Sequence, residues 1–415
     1  MIRLKNIPDT VLNKHWDYFV ASEGYAKIKE FSDSTSLRQE EKDLYTVLYT
    51  NPLLLKKMIC GSPVELLECI NDFFTLINEM PELKFSQLPT LKGIEERINT
   101  KNGLTKTERN DNKRSILKTL IEIDVLSVRK GFYSSLKFEE TISSMTTRQI
   151  TIKKIKKLYR ELKAELKGEA KETMSRLFEV FNYKQFTEST EPWGAYPLTR
   201  ILGVSVCPYC NRNYINTVET ETGKTRPELD HFYPKSRFPI LALSIYNLIP
   251  SCHTCNANLK GSIDFYSIRH MHPYEDDLIK EFEFFIKVDD SVLGEAIPNI
   301  DDFEVKVKPL TTKDLEIDKI NNSVSTFKLI ELYNQHKDIA KEILEKALYY
   351  NKTRLAELVK FFDGEGISSE EELKLDETTK RFILGNFVEE ADIGRRTLAK
   401  YTKDIAMGTE LKNFI

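Results

Sequence analysis

Four of the six cysteines fall in two close pairs, Cys207-Pro-Tyr-Cys210 and Cys252-His-Thr-Cys255, separated by residues 211–251. Two such pairs supply four thiolates, the donor set that closes tetrahedrally on Zn²⁺ at about 2.3 Å per sulfur. A redox dithiol would account for one pair but not for both. Four-thiolate zinc has no open position and is therefore structural, so any catalysis falls to residues beside it. Between the pairs lie Glu228-Leu-Asp-His-Phe-Tyr-Pro-Lys-Ser236 and Asn247-Leu-Ile-Pro-Ser251, and Asn256-Ala-Asn-Leu-Lys260 follows the last cysteine directly. Asp230 and Asn256 offer two oxygen ligands of the kind that suits Mg²⁺ or Mn²⁺, with water completing the shell. An imidazole ordinarily titrates near neutrality, so His231 can take a proton from water attacking phosphorus. The cation would meanwhile stabilise the developing negative charge and the leaving oxygen.

For these residues to meet, an apolar strand must end in Asp230-His231, a loop must follow, and a helix must open at the second cysteine pair. The order Cys-x-x-Cys, Asp-His, Asn-Leu-Ile-Pro, Cys-x-x-Cys-Asn resembles the HNH, or ββα-metal, endonuclease family in its zinc-framed branch. The resemblance implies that Asp230 and Asn256 bind the catalytic ion and that His231 is the general base. It also implies that Asn247 is mainly structural and pins the loop presenting the histidine. Where some members carry a second histidine one helical turn on, this chain has Lys260, which either touches phosphate or stays solvated. The stretch from Trp193 through His272-Pro-Tyr is similar to HNH proteins of bacterial anti-phage systems, among them the nuclease subunit of Septu-type pairs. That likeness covers about 90 of the 415 residues. It implies hydrolysis of nucleic acid, most simply DNA, in defence, with an ATPase subunit as companion. A reading of another class, a non-catalytic zinc-framed module that binds nucleic acid or a partner, stands beside it.

Lys235 and Arg237 follow Asp-His directly and can steer a phosphate, as can Lys224 and Arg226 just upstream. His253 reads as a surface residue within its cysteine pair, and His270 and His272 as members of a turn that can support the site. His15 and His336 read as ordinary core or surface histidines, Trp16 and Trp193 as packing anchors, and Cys60 and Cys69 as buried free thiols.

The whole chain sets the frame. With 40% hydrophobic and 30% charged residues, 16 Gly and 15 Pro among 415, it reads as a folded, mostly helical protein rather than a disordered or collagenous one. Lys plus Arg is 61 against 64 Asp plus Glu, so no global basic charge announces a nucleic-acid partner and any such partner is held locally. The longest apolar stretch, residues 238–250, is broken by Ser244, Tyr246 and Asn247, and no signal-peptide core opens the chain, so a cytoplasmic protein without a membrane segment is expected.

The fold class expected is mainly α with a small α+β insert, a central zinc-framed nuclease module between helical regions. Residues 1–185 form an N-terminal helical domain, with helical spacing over 44–55, 64–77 and 116–128 and a polar connection over 99–114. Residues 186–277 form the zinc-framed module, and 278–415 a C-terminal region in which a short hairpin precedes helices. The hairpin is signalled by Phe282, Phe284, Ile286 and Val288, then Phe303, Val305 and Val307, at every second position. Residues 148–171 carry nine basic side chains over an apolar face of Ile152, Ile155, Tyr159, Leu162 and Leu166, the pattern of a solvated helix or, in the rival reading, of a phosphate contact. Residues 281–320 are acidic and unsuited to phosphate.

Overall fold

Asn51-Pro52 cuts the first apolar run in two. The Asn51 side chain caps the second piece by accepting the Leu54 N–H at 3.0 Å, and Pro52 occupies the first helical position, where a missing N–H costs nothing. The stretch expected as one helix over 44–55 is therefore the end of Gln39–Thr50 and the start of Pro52–Cys60. The computed structural model describes residues 2–76, 98, 106–129, 151–189, 192–276, 278–288, 302–350, 353–355, 357–358 and 375–413. Among these the chain is mainly helical, with three two-stranded antiparallel sheets.

Contacts divide the chain into two compact units. One comprises residues 12–185 and 235–245, the other 1–11, 186–234 and 246–415.

The first unit is built of helices. The polar stretch expected as a connection over 99–114 is helical from Lys106, in a helix running Lys106–Arg129. Ile116, Leu117 and Leu120 of that helix bury against Ile155, Leu158, Tyr159 and Leu162 of the helix Ile152–Val180. This is the apolar face anticipated under the basic run. Opposite it, Lys153, Lys154, Lys157 and Arg160 are exposed, and Lys157 pairs with Glu161 at 3.7 Å. Arg148 and the side chains of Lys163, Leu166 and Lys167 lie outside the described residues. Gly24 permits a close helix approach: a Cβ there would stand 2.0 Å from the Val180 carbonyl oxygen. Glu41, almost fully buried, receives a bidentate bond from Arg176 at 2.8 and 3.1 Å. Cys60 and Cys69 are buried, and desolvation pushes both thiols up to about 12.

His15 is buried with Nε2 2.7 Å from the Leu243 carbonyl, and burial pulls its pKa down to about 4. The folded unit therefore holds fewer protons than the unfolded chain between pH 6.5 and 4, so this residue's contribution to stability is present above 6.5 and lost as pH falls toward 4. Tm measured from pH 7 to 4.5 is expected to fall less steeply in His15→Gln than in the wild type; identical slopes would refute this.

The second unit contains the ribbon β1 (Val218–Glu219) with β2 (Lys224–Thr225), then β3 (Glu228–His231) with β4 (Leu248–Ser251), and the hairpin β5 (Phe282–Val288) with β6 (Phe303–Pro309). The β5–β6 register places Phe284 opposite Val307 and Ile286 opposite Val305. Its inner face packs on Tyr333 and Tyr401, and Lys400 is buried beneath, donating to the Phe282 carbonyl at 2.7 Å and to Asp404 at 2.8 Å. At the other end of the chain, Ile2 and Leu4 donate backbone bonds to the carbonyls of Pro208 and Pro273. No described helix is long and apolar enough to cross a membrane.

Candidate metal centre and adjoining site

The four cysteines of the two pairs converge. Cys207, Cys210, Cys252 and Cys255 are all buried, and their sulfurs lie within 4.8 Å of one another, so they form a cluster able to hold a metal such as zinc. Local backbone and side-chain donors are already aimed at sulfur. Asn213 Nδ2 donates to Cys252 at 3.2 Å, the Arg212 N–H to Cys210 at 3.4 Å and the Cys252 N–H to Cys207 at 3.4 Å. Such bonds offset negative charge on thiolates that burial alone would keep protonated. The first knuckle turns at Asn211, whose φ of +51° is left-handed and whose N–H donates to the Cys207 carbonyl at 2.8 Å.

The second knuckle opens a short π-helical segment, Thr254–Lys260, closed by Gly261 at φ +49° and by a Gly261 N–H bond to the Asn256 carbonyl. β3 and β4 pair so that Asp230 faces Ile249 and His231 faces Leu248. The strand, loop and helix anticipated for residues 228–260 are thus present, with the helix wound more loosely than the α form.

Asn247 is fully buried in the connection, accepting the Tyr233 N–H at 2.7 Å and donating to the Tyr233 carbonyl at 3.1 Å. Its own carbonyl accepts the Phe232 N–H at 2.9 Å. The backbone after His231 is therefore fixed by one residue, through both its side chain and its carbonyl. His231 itself is the last residue of β3 and 9% exposed.

The two oxygen ligands anticipated for a divalent ion have different partners. Asp230 is 3% exposed, and one carboxylate oxygen accepts Tyr209 Oη at 2.6 Å while the other accepts Lys260 Nζ at 2.8 Å. Burial, ahead of the Asp230 charge, raises the Tyr209 pKa well above normal, so the phenol stays a donor. Lys260 also donates to the His231 carbonyl at 2.6 Å, and its ammonium sits 4.8 Å from the Phe265 ring. It is buried, not solvated. Asn256 instead donates to Glu228 at 2.8 Å, and the other Glu228 oxygen meets His253 Nδ1 at 2.7 Å.

Glu228 and Lys260 are the site residues that the sequence underrates. The period of two along β3 puts Glu228 on the same face as Asp230, and that spacing was the available signal. Glu228 and Asn256 meet, but both Glu228 oxygens already accept hydrogen bonds, so a hard cation there must displace the Asn256 and His253 donors. At Asp230 the same cation must contend with the Lys260 ammonium.

The supporting residues are distributed as follows. His272 is buried 4.2 Å from the Phe232 ring, its Nε2 has no hydrogen-bond partner among the described residues, and desolvation pulls its pKa down to about 3. His270 stacks on Phe265 at 3.7 Å and bonds Thr326. Both rings are packing elements, neutral at pH 7. Trp193 is buried, and His336 accepts from Arg212 Nε at 3.0 Å. Lys224 and Arg226 lie over the Tyr196 ring. Lys235 and Arg237 belong to the other unit, where Lys235 lies 4.3 Å over the Tyr183 ring and Arg237 5.1 Å from that of Phe238.

No protein-family model matches this chain, and no solved structure matches it. Among curated proteins, the chain is similar to Protein ea31 of Escherichia phage lambda, 33% identical over 72 residues, 17% of this chain. The match spans about a fifth (21%) of the length of that relative.

Proposed function

We propose that the protein is a metal-dependent endonuclease of the HNH type, hydrolysing phosphodiester bonds of nucleic acid around His231. One observation carries the reading: Asn247 clamps the backbone that follows His231, on a two-stranded hairpin whose far strand runs directly into the four-cysteine frame. Zinc on the four sulfurs would fix the relative placement of β4, the π-helical segment and the first knuckle. A divalent ion held by Asn256 with Glu228 or Asp230 supplies positive charge to the scissile phosphate and the leaving oxygen when bound. His231 acts as the base that takes the proton of the attacking water. Lys260 and Tyr209 hold Asp230, and Lys260 holds the His231 carbonyl, so the dipeptide is presented rigidly. A role in anti-phage defence with an ATPase companion follows from the resemblance of residues 193–274.

The test is nicking of supercoiled plasmid, and cleavage of labelled RNA, in Mg²⁺, Mn²⁺ or chelator. His231→Ala is expected to lower the rate about 10²-fold or more, with zinc content and Tm kept. Unchanged cleavage would overturn the assignment. The Lys260–Asp230 ion pair is the specific observation favouring the rival reading, a non-catalytic zinc-framed binding module, because an ammonium occupies one carboxylate a cation would use. Salt-sensitive binding with no cleavage in any metal would select that reading.

A further inference from the structure

The loop after the helix Glu377–Leu384 gathers three guanidinium groups on one aromatic ring. The guanidinium carbons of Arg381, Arg395 and Arg396 lie 5.5, 4.7 and 5.4 Å from the centroid of Phe387, which is itself buried while the three arginines are exposed. Nearby acids do little to neutralise them. Glu389 is taken by Lys380 at 2.7 Å, and Glu390 by Lys280 and Lys403 at 3.3 and 3.4 Å. Among the described residues only Asp392 pairs within the group, with Arg395 at 3.1 Å, leaving a local excess of two positive charges. Arg381 makes no side-chain hydrogen bond among the described residues, and Arg396 uses one donor, on the Gly385 carbonyl. Most of their fork-shaped donors therefore face solvent.

A cleft of about 570 Å³ continues this surface, with Arg395 on its wall alongside Arg3 and Lys5, both exposed and without an acidic partner among the described residues. The backbone beneath these charges is held by the first cysteine pair. Asn211, next to Cys210, donates from Nδ2 to the carbonyls of Ile393 and Arg396 at 3.5 and 3.3 Å. Its Oδ1 accepts the Lys400 N–H at 3.2 Å, and its backbone carbonyl accepts the Leu398 N–H at 2.6 Å. Leu398 is held at φ +60°, a left-handed conformation costly for leucine. The arginine loop is thus stapled to the first cysteine pair and pre-organised.

We infer that Arg381, Arg395 and Arg396, with Arg3 and Lys5 in the adjoining cleft, form a seat for the phosphate backbone of a polynucleotide. Planar guanidinium forks bind phosphate oxygens in pairs, and backbone contacts of this kind position a nucleic acid without reading its sequence. The identity of the polymer rests on the nuclease reading above; the phosphate chemistry does not.

The test measures binding of fluorescent single- and double-stranded oligonucleotides to the full chain as a function of KCl. Removing two phosphate contacts in Arg395→Ala/Arg396→Ala is expected to reduce the log–log salt slope by about 1.4 on single strands and about 1.8 on duplex, equally for unrelated sequences. Arg395→Lys/Arg396→Lys, which keeps the charge, is expected to retain the slope, and zinc content and Tm of both variants report an intact knuckle. An unchanged slope in the alanine variant overturns the proposal while leaving nuclease activity standing. Loss of inorganic tripolyphosphate binding with oligonucleotide binding intact also overturns it, assigning the cluster to a small phosphate. His231→Ala is expected to bind with the wild-type slope while cleavage is lost, which separates this surface from the site of chemistry. Wild-type protein that binds no polynucleotide refutes both.

Discussion

Stripping the metal from the four-cysteine cluster is expected to unfold the unit that contains it. Four buried sulfurs within 4.8 Å of one another are stable together only when a cation or shared protons neutralise them. Ligand binding of this kind is folding free energy: structural zinc contributes about 10–16 kcal/mol in small metal-folded peptides near neutral pH. The consequences reach beyond the knuckles because elements far apart in sequence are anchored on them. Ile2 bonds the Pro208 carbonyl, Tyr333 Oη donates to the Cys210 carbonyl at 2.7 Å, and Asn211 holds residues 393–400. Denaturing chelation, or Cys255→Ser, should therefore remove near-stoichiometric zinc, lower Tm by more than 10 °C and expose amides of β4, β5 and the C-terminal helix Ala399–Met407 to hydrogen exchange together. Protein with no bound zinc and an unchanged Tm would show that the cluster is held by packing alone. Acid should act the same way, since every thiolate lost to protonation is a ligand lost.

Residues with short-range signals were legible in the sequence. The alternation of Phe282, Phe284 and Ile286 forecasts a strand because only one face of a two-stranded ribbon can be buried, and β5 keeps that register against β6. The cysteine pairs forecast a cluster because a tetrahedral metal imposes that spacing on any fold. Capping and side-chain selection were harder to read. Asn51-Pro52 looked like part of one apolar run, since hydrophobic spacing continues across it; the break is made by a side-chain cap and a missing N–H, not by a loss of periodicity. The polar start of Lys106–Arg129 carries no apolar stripe, yet it is helical because Lys, Glu and Arg are good helix formers and the stripe from Ile116 onward anchors it. The partners of Asp230 were beyond reach for a different reason. Whether a buried carboxylate meets an amide or an ammonium depends on which side chain of the Asn256–Lys260 turn is long enough to reach it. Lysine can span that distance, and asparagine, being short, meets Glu228 nearer its own end of the helix.

That choice of partner leads to a strong expectation at Lys260. Its ammonium is buried with Asp230 and touches the His231 carbonyl, so Lys260→Met would leave a carboxylate 3% exposed with Tyr209 as its remaining donor. Breaking one side of a buried pair costs about 3–5 kcal/mol, because the surviving charge is neither solvated nor compensated. In a unit of this size that corresponds to a Tm lower by roughly 10 °C. Asp230→Asn in the same background should restore much of the loss, since no net charge then remains buried, and the double mutant should be more stable than the sum of the singles requires. An unchanged Tm in Lys260→Met would mean that water or another cation already serves Asp230. Adding Mn²⁺ then discriminates the two candidate ion positions. Stabilisation of Lys260→Met by Mn²⁺ beyond that of the wild type puts the ion on Asp230, in the place the ammonium vacates. Equal stabilisation of both proteins, lost in Glu228→Gln, puts it on Glu228 and Asn256. In that second case Lys260 is a permanent counter-ion whose work is to hold Asp230 and the carbonyl of His231 in line.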